Sequence, residues 1–382
     1  MERRNILRAA VVGTGSVALG FTMTRPSFAY PAKPGPGPYG ALRAADANGL
    51  SLPAGFTSRI VARSSRTVPG TAYTWHGAPD GGACFADGDG WIYTSNAELP
   101  TGGGAGALRF DANANLVDAY RILSGTRSNC AGGATPWHTW LSGEEVDRGY
   151  VYETDPYGED AAVRRDAMGR FKHEAAAADP DREVVYLTED VTDGALYRFA
   201  PATWGDLATG VLQVLTEDDD ALAWADVPDP GGSPTATRYQ VPNTKRFDGG
   251  EGCYYSGGVC FFTTKGDNKV WAYDTAANTL VTVYDDDLVS DPTLKGVDNL
   301  IGSSGSGDLF VAEDGDNMEV CVVTPEDIVA PLLRVNGHSG SEITGLAFNP
   351  AGNRIYFSSQ RGSAGTNGAG ITYEVTGPFR GN

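Results

Sequence analysis

One segment of the 382-residue chain holds a cysteine and a pair of carboxylates within a short stretch. Cys130 is followed by a Gly-Gly pair at 132–133 and then by residues that end in Glu144 and Glu145. Thiolate is a ligand for iron or zinc, and carboxylate is a ligand for iron, calcium or magnesium. The segment therefore predicts a metal site. The alternative is that Cys130 is a small buried apolar residue and that the two glutamates form a solvated turn.

The composition limits the chemistry of such a site. The chain has four histidines, which is few for a histidine-rich zinc site. It has 48 acidic and 29 basic side chains and a formal net charge of -19, so it repels nucleic acid and anionic membranes. A dianionic substrate therefore needs bound cations to overcome this repulsion. Glu174 follows His173 without an evident structural role, which favours a role as a metal ligand.

The elements that must position these residues are expected to be β-strands. Alternating apolar segments occur in pairs joined by polar loops, as in residues 184–188 with 194–199 and 258–264 with 269–274. Such units recur at a spacing of about 40 to 60 residues, which predicts an all-β fold, a six-bladed β-propeller. Five or seven blades fit the same spacing, and a pair of β-sandwiches or a β-helix are the alternative folds.

The N-terminal residues are typical of an export signal. Arg3 and Arg4 precede a weakly apolar stretch over residues 9–21 and a small-x-small cleavage site at 27–29. The paired arginines indicate a twin-arginine signal, with a general secretory signal as the alternative. We expect cleavage after residue 29, an extended leader over residues 30–48 and a single propeller domain over residues 49–382. The mature protein is then expected to be secreted or held in the cell envelope.

Export permits disulfides, and the chain has five cysteines. Cys253 and Cys260 flank a short turn and are candidates for a pair across a hairpin. Cys84 and Cys321 are the remaining candidates for a second pair. Cys130 is then the thiol left free.

The segment from Asn129 to Glu145 resembles the signature of the PhoX family of secreted alkaline phosphatases. The residues that carry the resemblance are Asn-Cys-Ala-Gly-Gly, Thr-Pro-Trp, Thr-Trp-Leu and the two final glutamates. Shorter segments resemble the family in the same order at 172–175, 186–190, 194–199, 249–252, 298–300, 312–315 and 345–352.

The resemblance implies a six-bladed propeller that binds Fe³⁺ and Ca²⁺ in its central channel and hydrolyses phosphomonoesters at alkaline pH. It implies that Cys130 is a thiolate ligand of iron. Arg246 and Arg361 are the candidate arginines for contact with the substrate phosphate, and the alternative for Arg361 is an ion pair with a surface acid. The other implied ligands of iron or calcium are Glu144, Glu174, Asp190, Glu251, Asp298, Asn299, Glu313, Asp314 and Glu342. The expected partner is a small-molecule phosphate ester, bound by a monomer that engages neither nucleic acid nor, after signal cleavage, a membrane.

The sequence also departs from the family pattern. His138 stands where glycine is usual, Gly143 stands where cysteine is common, and the spacing from Arg246 to Glu251 is longer than the compact Arg-x-Glu of the family. Metal binding tolerates these departures more readily than phosphatase activity does. The alternatives are an inactive metal-loaded propeller that acts as a binding protein, and a calcium-dependent lactonase or esterase propeller.

Overall fold

The computed structural model describes residues 32–303 and 305–381. The export signal predicted over residues 1–29 lies outside the described residues. Strands dominate the described chain, and they form six separate sheets. None of its helices has the length and apolar character needed to span a membrane. The short helical segments are 3₁₀ turns at Asp166–Met168, Thr237–Tyr239, Asp286–Leu288 and Asn367–Ala369.

Three strands precede the first complete sheet. They are β1 (Lys33–Pro34), β2 (Leu50–Ser51) and β3 (Thr57–Arg63). The six sheets that follow are the blades, each an antiparallel meander numbered here in chain order. Blade 1 comprises β4 (Pro79–Asp87), β5 (Gly90–Ala97), β6 (Gly103–Phe110) and β7 (Leu116–Thr126). Blade 2 comprises β8 (Asn129–Ala134), β9 (Trp140–Glu144), β10 (Val151–Thr154) and β11 (Val163–Arg164).

The third blade has five strands and the fourth has four. Blade 3 comprises β12 (His173–Asp179), β13 (Val184–Glu189), β14 (Leu196–Thr203), β15 (Asp206–Asp218) and β16 (Ala221–Asp226). Blade 4 comprises β17 (Gly250–Ser256), β18 (Val259–Thr264), β19 (Lys269–Asp274) and β20 (Thr279–Asp285).

The last two blades complete the ring. Blade 5 comprises β21 (Val297–Gly302), β22 (Leu309–Glu313), β23 (Glu319–Val323) and β24 (Ile328–Val335). Blade 6 comprises β25 (Ile343–Phe348), β26 (Arg354–Ser359) and β27 (Ile371–Thr376), with β3 as its fourth strand. The molecule is therefore a six-bladed β-propeller, as the spacing of the strand pairs predicted.

The core lies between the blades. The buried apolar side chains form six clusters, and each cluster joins two neighbouring blades. Strand β23 shows why: Val320 packs toward blade 6, whereas Cys321, the next residue, packs toward blade 4. Because successive side chains of a strand point to opposite faces, a blade between two neighbours needs apolar residues at nearly every position.

The N-terminal part of the chain closes the ring. Strand β3 pairs with β27, so the fourth strand of blade 6 comes from the opposite end of the chain. The buried carboxylate of Glu374 on β27 accepts hydrogen bonds from Arg59 Nη2 on β3, at 2.5 Å, and from Arg354 Nη1 on β26, at 2.6 Å. The preceding strands β1 and β2 both pair with β24 of blade 5. Residues 32–63 therefore bridge blades 5 and 6.

All six innermost strands carry a β-bulge near their start. Pro79 of β4 pairs with Ala97 and Gly82 pairs with Ser95, so three steps along β4 oppose two along β5. The same shift occurs in β8, β12, β17, β21 and β25. A bulge leaves one residue outside the regular pairing and redirects its side chain. The fold thus repeats one irregularity around the central channel.

The cysteines form none of the disulfides that were considered from the sequence. All five are free thiols. Cys84 lies on β4 of blade 1 and Cys321 on β23 of blade 5, so their positions in separate blades do not allow a bond between them. Cys253 and Cys260 are diagonal neighbours on β17 and β18, and their sulfur atoms lie 3.5 Å apart.

Candidate metal centre

The bulges of the innermost strands place one residue of each blade at an equivalent position. In each innermost strand, this residue directly follows the last residue that pairs regularly before the bulge. We call these residues the bulge set: Asp80, Cys130, Glu174, Glu251, Asp298 and Gly345. Five of the six positions hold a carboxylate or a thiol.

In blades 1 to 4 the residue that follows the bulge position is glycine or alanine, and the two glycines have a steric reason. A Cβ atom on Gly81 would lie 2.5 Å from Ala131 Cα of the next innermost strand. A Cβ atom on Gly252 would lie 2.5 Å from the backbone nitrogen of Leu300. Neighbouring innermost strands therefore approach so closely at Gly81 and Gly252 that a side chain does not fit at these two positions.

The second strand of each blade contributes another equivalent position. The last residue before each bulge pairs with a residue of the second strand. The position meant here is the one that directly follows that partner. We call these residues the strand-end set: Glu98, Glu145, Asp190, Lys265, Asp314 and Ser359. Four of the six positions are acidic, and blade 4 alone has a basic residue there.

The side chains of the two sets converge. Their ligand atoms form four groups, each with all atoms within 4.8 Å of one another, and the groups share Glu174, Asp298 and Glu342. Glu342 lies just before β25. We call the union the central cluster: Asp80, Glu98, Cys130, Glu145, Glu174, Glu251, Asp298, Asp314 and Glu342. The structure thus brings six of the ten predicted ligands into one cluster, with the Cys130 sulfur beside Glu145 and Glu174.

The second strands of blades 2, 3 and 5 each end at two adjacent acids: 144 and 145, 189 and 190, 313 and 314. Only the second acid of each pair belongs to the strand-end set. This register places the predicted ligands Glu144 and Glu313 outside the central cluster, and Glu313 lies instead in a separate group with Glu319 and Cys321. Glu144 accepts hydrogen bonds from the backbone N–H groups of Arg127 (3.0 Å) and Tyr150 (3.2 Å). Glu313 does the same with Lys295 and Glu319, each at 2.9 Å. Both carboxylates therefore stabilise loops.

Two further predicted residues lie beside the central cluster. Asp190 Oδ2 is 3.2 Å from Lys172 Nζ, which is itself 2.8 Å from Glu145 Oε1. Asn299 donates from Nδ2 to Asp298 Oδ1 at 2.9 Å and accepts from the backbone N–H of Gly345 at 2.9 Å. Asn299 therefore orients the carboxylate of Asp298 and joins the bulges of blades 5 and 6.

The two predicted arginines have different surroundings. Arg361 Nη2 lies 2.9 Å from Glu342 Oε1 and 3.8 Å from Glu98 Oε2, so it contacts the central cluster. Arg246 instead donates to the backbone carbonyl of Asp193 at 3.2 Å and stacks over the ring of Tyr239. These contacts hold Arg246 in the loop between blades 3 and 4, and none of them is with a member of the central cluster.

Glu174 tests whether a cation fits the cluster. The residue is 2% exposed, and neither of its carboxylate oxygens has a hydrogen-bond partner among the described residues. An unpaired carboxylate in such a place costs several kcal/mol of folding free energy unless a cation compensates it. Glu251 Oε1 likewise accepts no well-directed hydrogen bond from the described residues, and the Lys265 ammonium lies 2.8 Å from it. The donor set therefore fits bound cations.

The electrostatics support the same conclusion. Two unit charges 4.8 Å apart, the limiting distance within these groups, repel by about 3.5 kcal/mol at an effective dielectric constant of about 20. Burial first, and then the charge of Glu251, raises the pKa of Glu174 well above its usual range. Burial also raises the pKa of Glu145 to about 7 and that of Asp298 to about 6. Without cations, the cluster therefore retains protons near neutral pH.

The pKa of the Cys130 thiol is raised for the same two reasons, burial and neighbouring negative charges. Burial raises its pKa, and the charges of Asp80 and Glu174 add to the shift. A thiolate at this position therefore requires a cation close to the sulfur. Asn96 fixes the bulge that carries it, because Asn96 Nδ2 donates to the carbonyl oxygens of Cys130 and Ala131, both at 2.9 Å.

Three basic side chains contact the acids of the centre: Lys172, Lys265 and Arg361. Each is about one third exposed, so each also faces solvent. Burial favours the neutral amine of Lys265, but the charges of Glu251 and Asp298 outweigh it and raise the pKa of Lys265. The neighbouring acids also raise the pKa of Lys172 and Arg361, so all three groups are cations at neutral and mildly alkaline pH.

The interpretation of the sequence missed several residues of the centre. They are Asp80, Glu98, Lys172 and Lys265, and of the pair Glu144 and Glu145 only Glu144 was assigned as a ligand. A signal for Asp80 exists in the sequence, because Asp-Gly-Gly at 80–82, Cys-Ala-Gly at 130–132 and Glu-Ala-Ala at 174–176 share the order of a ligand followed by two small residues. That order reflects the bulge and the close approach of neighbouring strands.

Comparison with known proteins agrees with the six-bladed β-propeller fold. The structure of Pseudomonas fluorescens PhoX in complex with vanadate, a transition state analogue, is similar with a TM-score of 0.68 and 17% sequence identity, over 87% of this chain and 97% of that one. A gluconolactonase from Xanthomonas campestris has a TM-score of 0.45 and 15% identity, over 93% and 99%. No curated protein sequence matches.

The family described as alkaline phosphatase PhoX matches residues 92–283, half of the chain. The chain therefore belongs to the PhoX family of alkaline phosphatases, which are phosphoric-ester hydrolases.

Proposed function

We propose that the protein hydrolyses phosphomonoesters with the help of Fe³⁺ and Ca²⁺ held by the central cluster. The observation that carries this proposal is Glu174, a buried carboxylate without a hydrogen-bond partner for either oxygen in the described chain. Other acids surround it on both sides. A native protein retains such a group where a bound cation compensates its charge. Family membership supplies the class of reaction.

The donor atoms suit two kinds of cation. Cys130, Glu145 and Glu174 combine a thiolate with two carboxylates, and this set suits iron. The remaining groups offer carboxylate oxygens alone, which suit calcium. These groups are Asp80 with Glu98 and Glu342, Glu174 with Glu251 and Asp298, and Asp298 with Asp314 and Glu342. Because Glu174, Asp298 and Glu342 are shared, neighbouring ions would have bridging ligands.

Bound ions supply positive charge and Lewis acidity to the phosphoryl group of the ester. The basic side chains of the centre orient that group. Arg361 has five N–H donors, more than its contacts with Glu342 and Glu98 require, so it can pair with two oxygens of a phosphate. Lys172 lies on the opposite side of the cluster, next to Glu145, and adds a point charge.

The net charge of the protein sets a further requirement. At -19, the chain repels a phosphate dianion at long range, so the local cations must provide the attraction. We propose that the substrate is a small phosphate ester and that nucleic acid and membranes are not partners. We also propose that the protein is exported by the twin-arginine route and acts as a monomer.

Metal content and turnover test this proposal together. Protein purified after export is expected to contain iron and calcium and to hydrolyse p-nitrophenyl phosphate. Treatment with a chelator is expected to abolish turnover, and addition of both ions is expected to restore it. Cys130→Ser should lose iron, whereas Cys84→Ser, which changes a cysteine outside the cluster, should retain it. Metal-loaded protein that does not hydrolyse any phosphate ester would contradict the proposal and identify a binding protein instead.

A further inference from the structure

Lys265 occupies a position at which four of the other five blades have an acidic residue. It is the blade 4 member of the strand-end set, where blades 1, 2, 3 and 5 have Glu98, Glu145, Asp190 and Asp314. The repeat of the fold therefore directs its side chain to the centre. Since the other four side chains can offer oxygen ligands to a cation, blade 4 differs by offering a cation itself.

The ammonium group of Lys265 lies between two groups of the central cluster. Its Nζ atom is 2.8 Å from Glu251 Oε1 and 3.5 Å from Asp314 Oδ2. Glu251 belongs to the group with Glu174 and Asp298, and Asp314 belongs to the group with Asp298 and Glu342. One positive charge thus contacts both groups at the place where they meet.

We propose that the Lys265 ammonium permanently fills one cation position of the centre, so that this chain binds fewer metal ions than its acids alone would hold. The inference rests on the proposed metal centre and concerns the number of ions. The Nζ–oxygen distances of 2.8 and 3.5 Å exceed the roughly 2.3 to 2.6 Å of calcium–oxygen bonds, because an ammonium group contacts oxygen through its hydrogen atoms. Glu251, Asp298 and Asp314 would supply up to six oxygens to a calcium ion in its place.

A second lysine of the same blade provides a matched comparison. Lys269 also lies between two carboxylates, with Nζ 3.0 Å from Asp267 and 3.7 Å from Asp285. It starts β19, four residues after Lys265, and contacts no member of the central cluster. Replacing either lysine by methionine removes one charge and retains the apolar stem, but only Lys265→Met opens a position in the centre.

The experiment measures calcium binding rather than turnover. Wild type, Lys265→Met and Lys269→Met are stripped with a chelator and titrated with Ca²⁺, with stoichiometry read by native mass spectrometry and affinity by calorimetry. Lys265→Met is expected to bind about one more Ca²⁺ per chain than wild type, or to bind its first Ca²⁺ about tenfold more tightly. Lys269→Met is expected to match wild type. Equal or weaker binding by Lys265→Met overturns the inference.

The outcomes separate this inference from the proposed function. If wild type binds metal and hydrolyses phosphate esters but Lys265→Met binds no additional ion, the inference fails and the function stands. If wild type binds no Ca²⁺ and Lys265→Met does, the function fails and the inference stands. Lys265→Gln, which retains hydrogen-bonding capacity, replaces Lys265→Met in the same titration if the methionine variant does not fold.

Discussion

Glu174→Gln is predicted to change stability in opposite directions with and without metal. The substitution retains the size of the side chain and removes one negative charge from a group whose ligand atoms lie within 4.8 Å of one another. Each ionised pair at that distance costs about 3.5 kcal/mol at an effective dielectric constant of about 20. Protonation already relieves part of this cost, because the pKa of Glu174 is raised. We therefore expect metal-free Glu174→Gln at pH 8 to be more stable than wild type by about 1–3 kcal/mol.

The metal-loaded protein should respond in the other direction. Glu174 belongs to two of the four groups of the central cluster, so its loss removes a shared ligand. A reduction of metal affinity by about 100-fold corresponds to a loss of about 2.7 kcal/mol of metal-dependent stabilisation. Differential scanning calorimetry in chelator and in saturating metal measures both effects.

Glu144→Gln is the matched control. It is the same substitution in a neighbouring blade, but the Glu144 carboxylate accepts two backbone N–H groups. An amide oxygen can replace only one oxygen of the carboxylate, so Glu144→Gln should destabilise by about 1–3 kcal/mol under both conditions. If Glu174→Gln in chelator lowers the melting temperature as much as Glu144→Gln does, the Glu174 carboxylate is satisfied without metal and the reasoning is refuted.

Three further predictions concern pH, thiols and substrate binding. The raised pKa values of Asp298 (about 6) and Glu145 (about 7) mean that folded, metal-free protein binds more protons than unfolded protein between about pH 4 and 7; its melting temperature in chelator should therefore fall as pH rises through this range, and a rise would contradict the shifts. The sulfur atoms of Cys253 and Cys260 lie 3.5 Å apart, so oxidised glutathione should lower the number of free thiols from five to three, and a mass of two added glutathiones would show that no internal bond forms. Arg361→Met should raise the KM for p-nitrophenyl phosphate by about 10–100-fold without loss of bound metal, whereas metal loss would assign Arg361 to the structure of the centre.

The fold was largely predictable because strand pairs, turns and their spacing are local features. The site was predictable only in part, and Glu144 shows why. Side chains of a strand alternate between faces, so two consecutive acids cannot both face the centre. The choice between Glu144 and Glu145 depends on the pairing of β8 with β9, and the sequence alone does not give that register. The same choice arises at Glu313 and Asp314.

Residues without a local signature were the hardest to predict. Lys265 contacts the centre only because β17 and β18 pair as they do, and a single lysine after a strand carries no signal by itself. Arg246 shows the converse, because an arginine near a family motif was expected at the phosphate site and instead packs over Tyr239 in a loop. Both outcomes depend on contacts between segments that are distant in sequence.

The closure of blade 6 by β3 has a consequence for cation binding. Strand β3 directly precedes blade 1 in the chain, yet it pairs with β27 of blade 6. Blades 1 and 6 also touch at their innermost strands, where Thr344 Oγ1 donates to the Pro79 carbonyl at 2.8 Å, and the acids Asp80, Glu98 and Glu342 meet at the same seam. The seam that fastens the ring thus also gathers one acidic group, so loosening the β3–β27 pairing is expected to weaken both the ring and cation binding by these three acids.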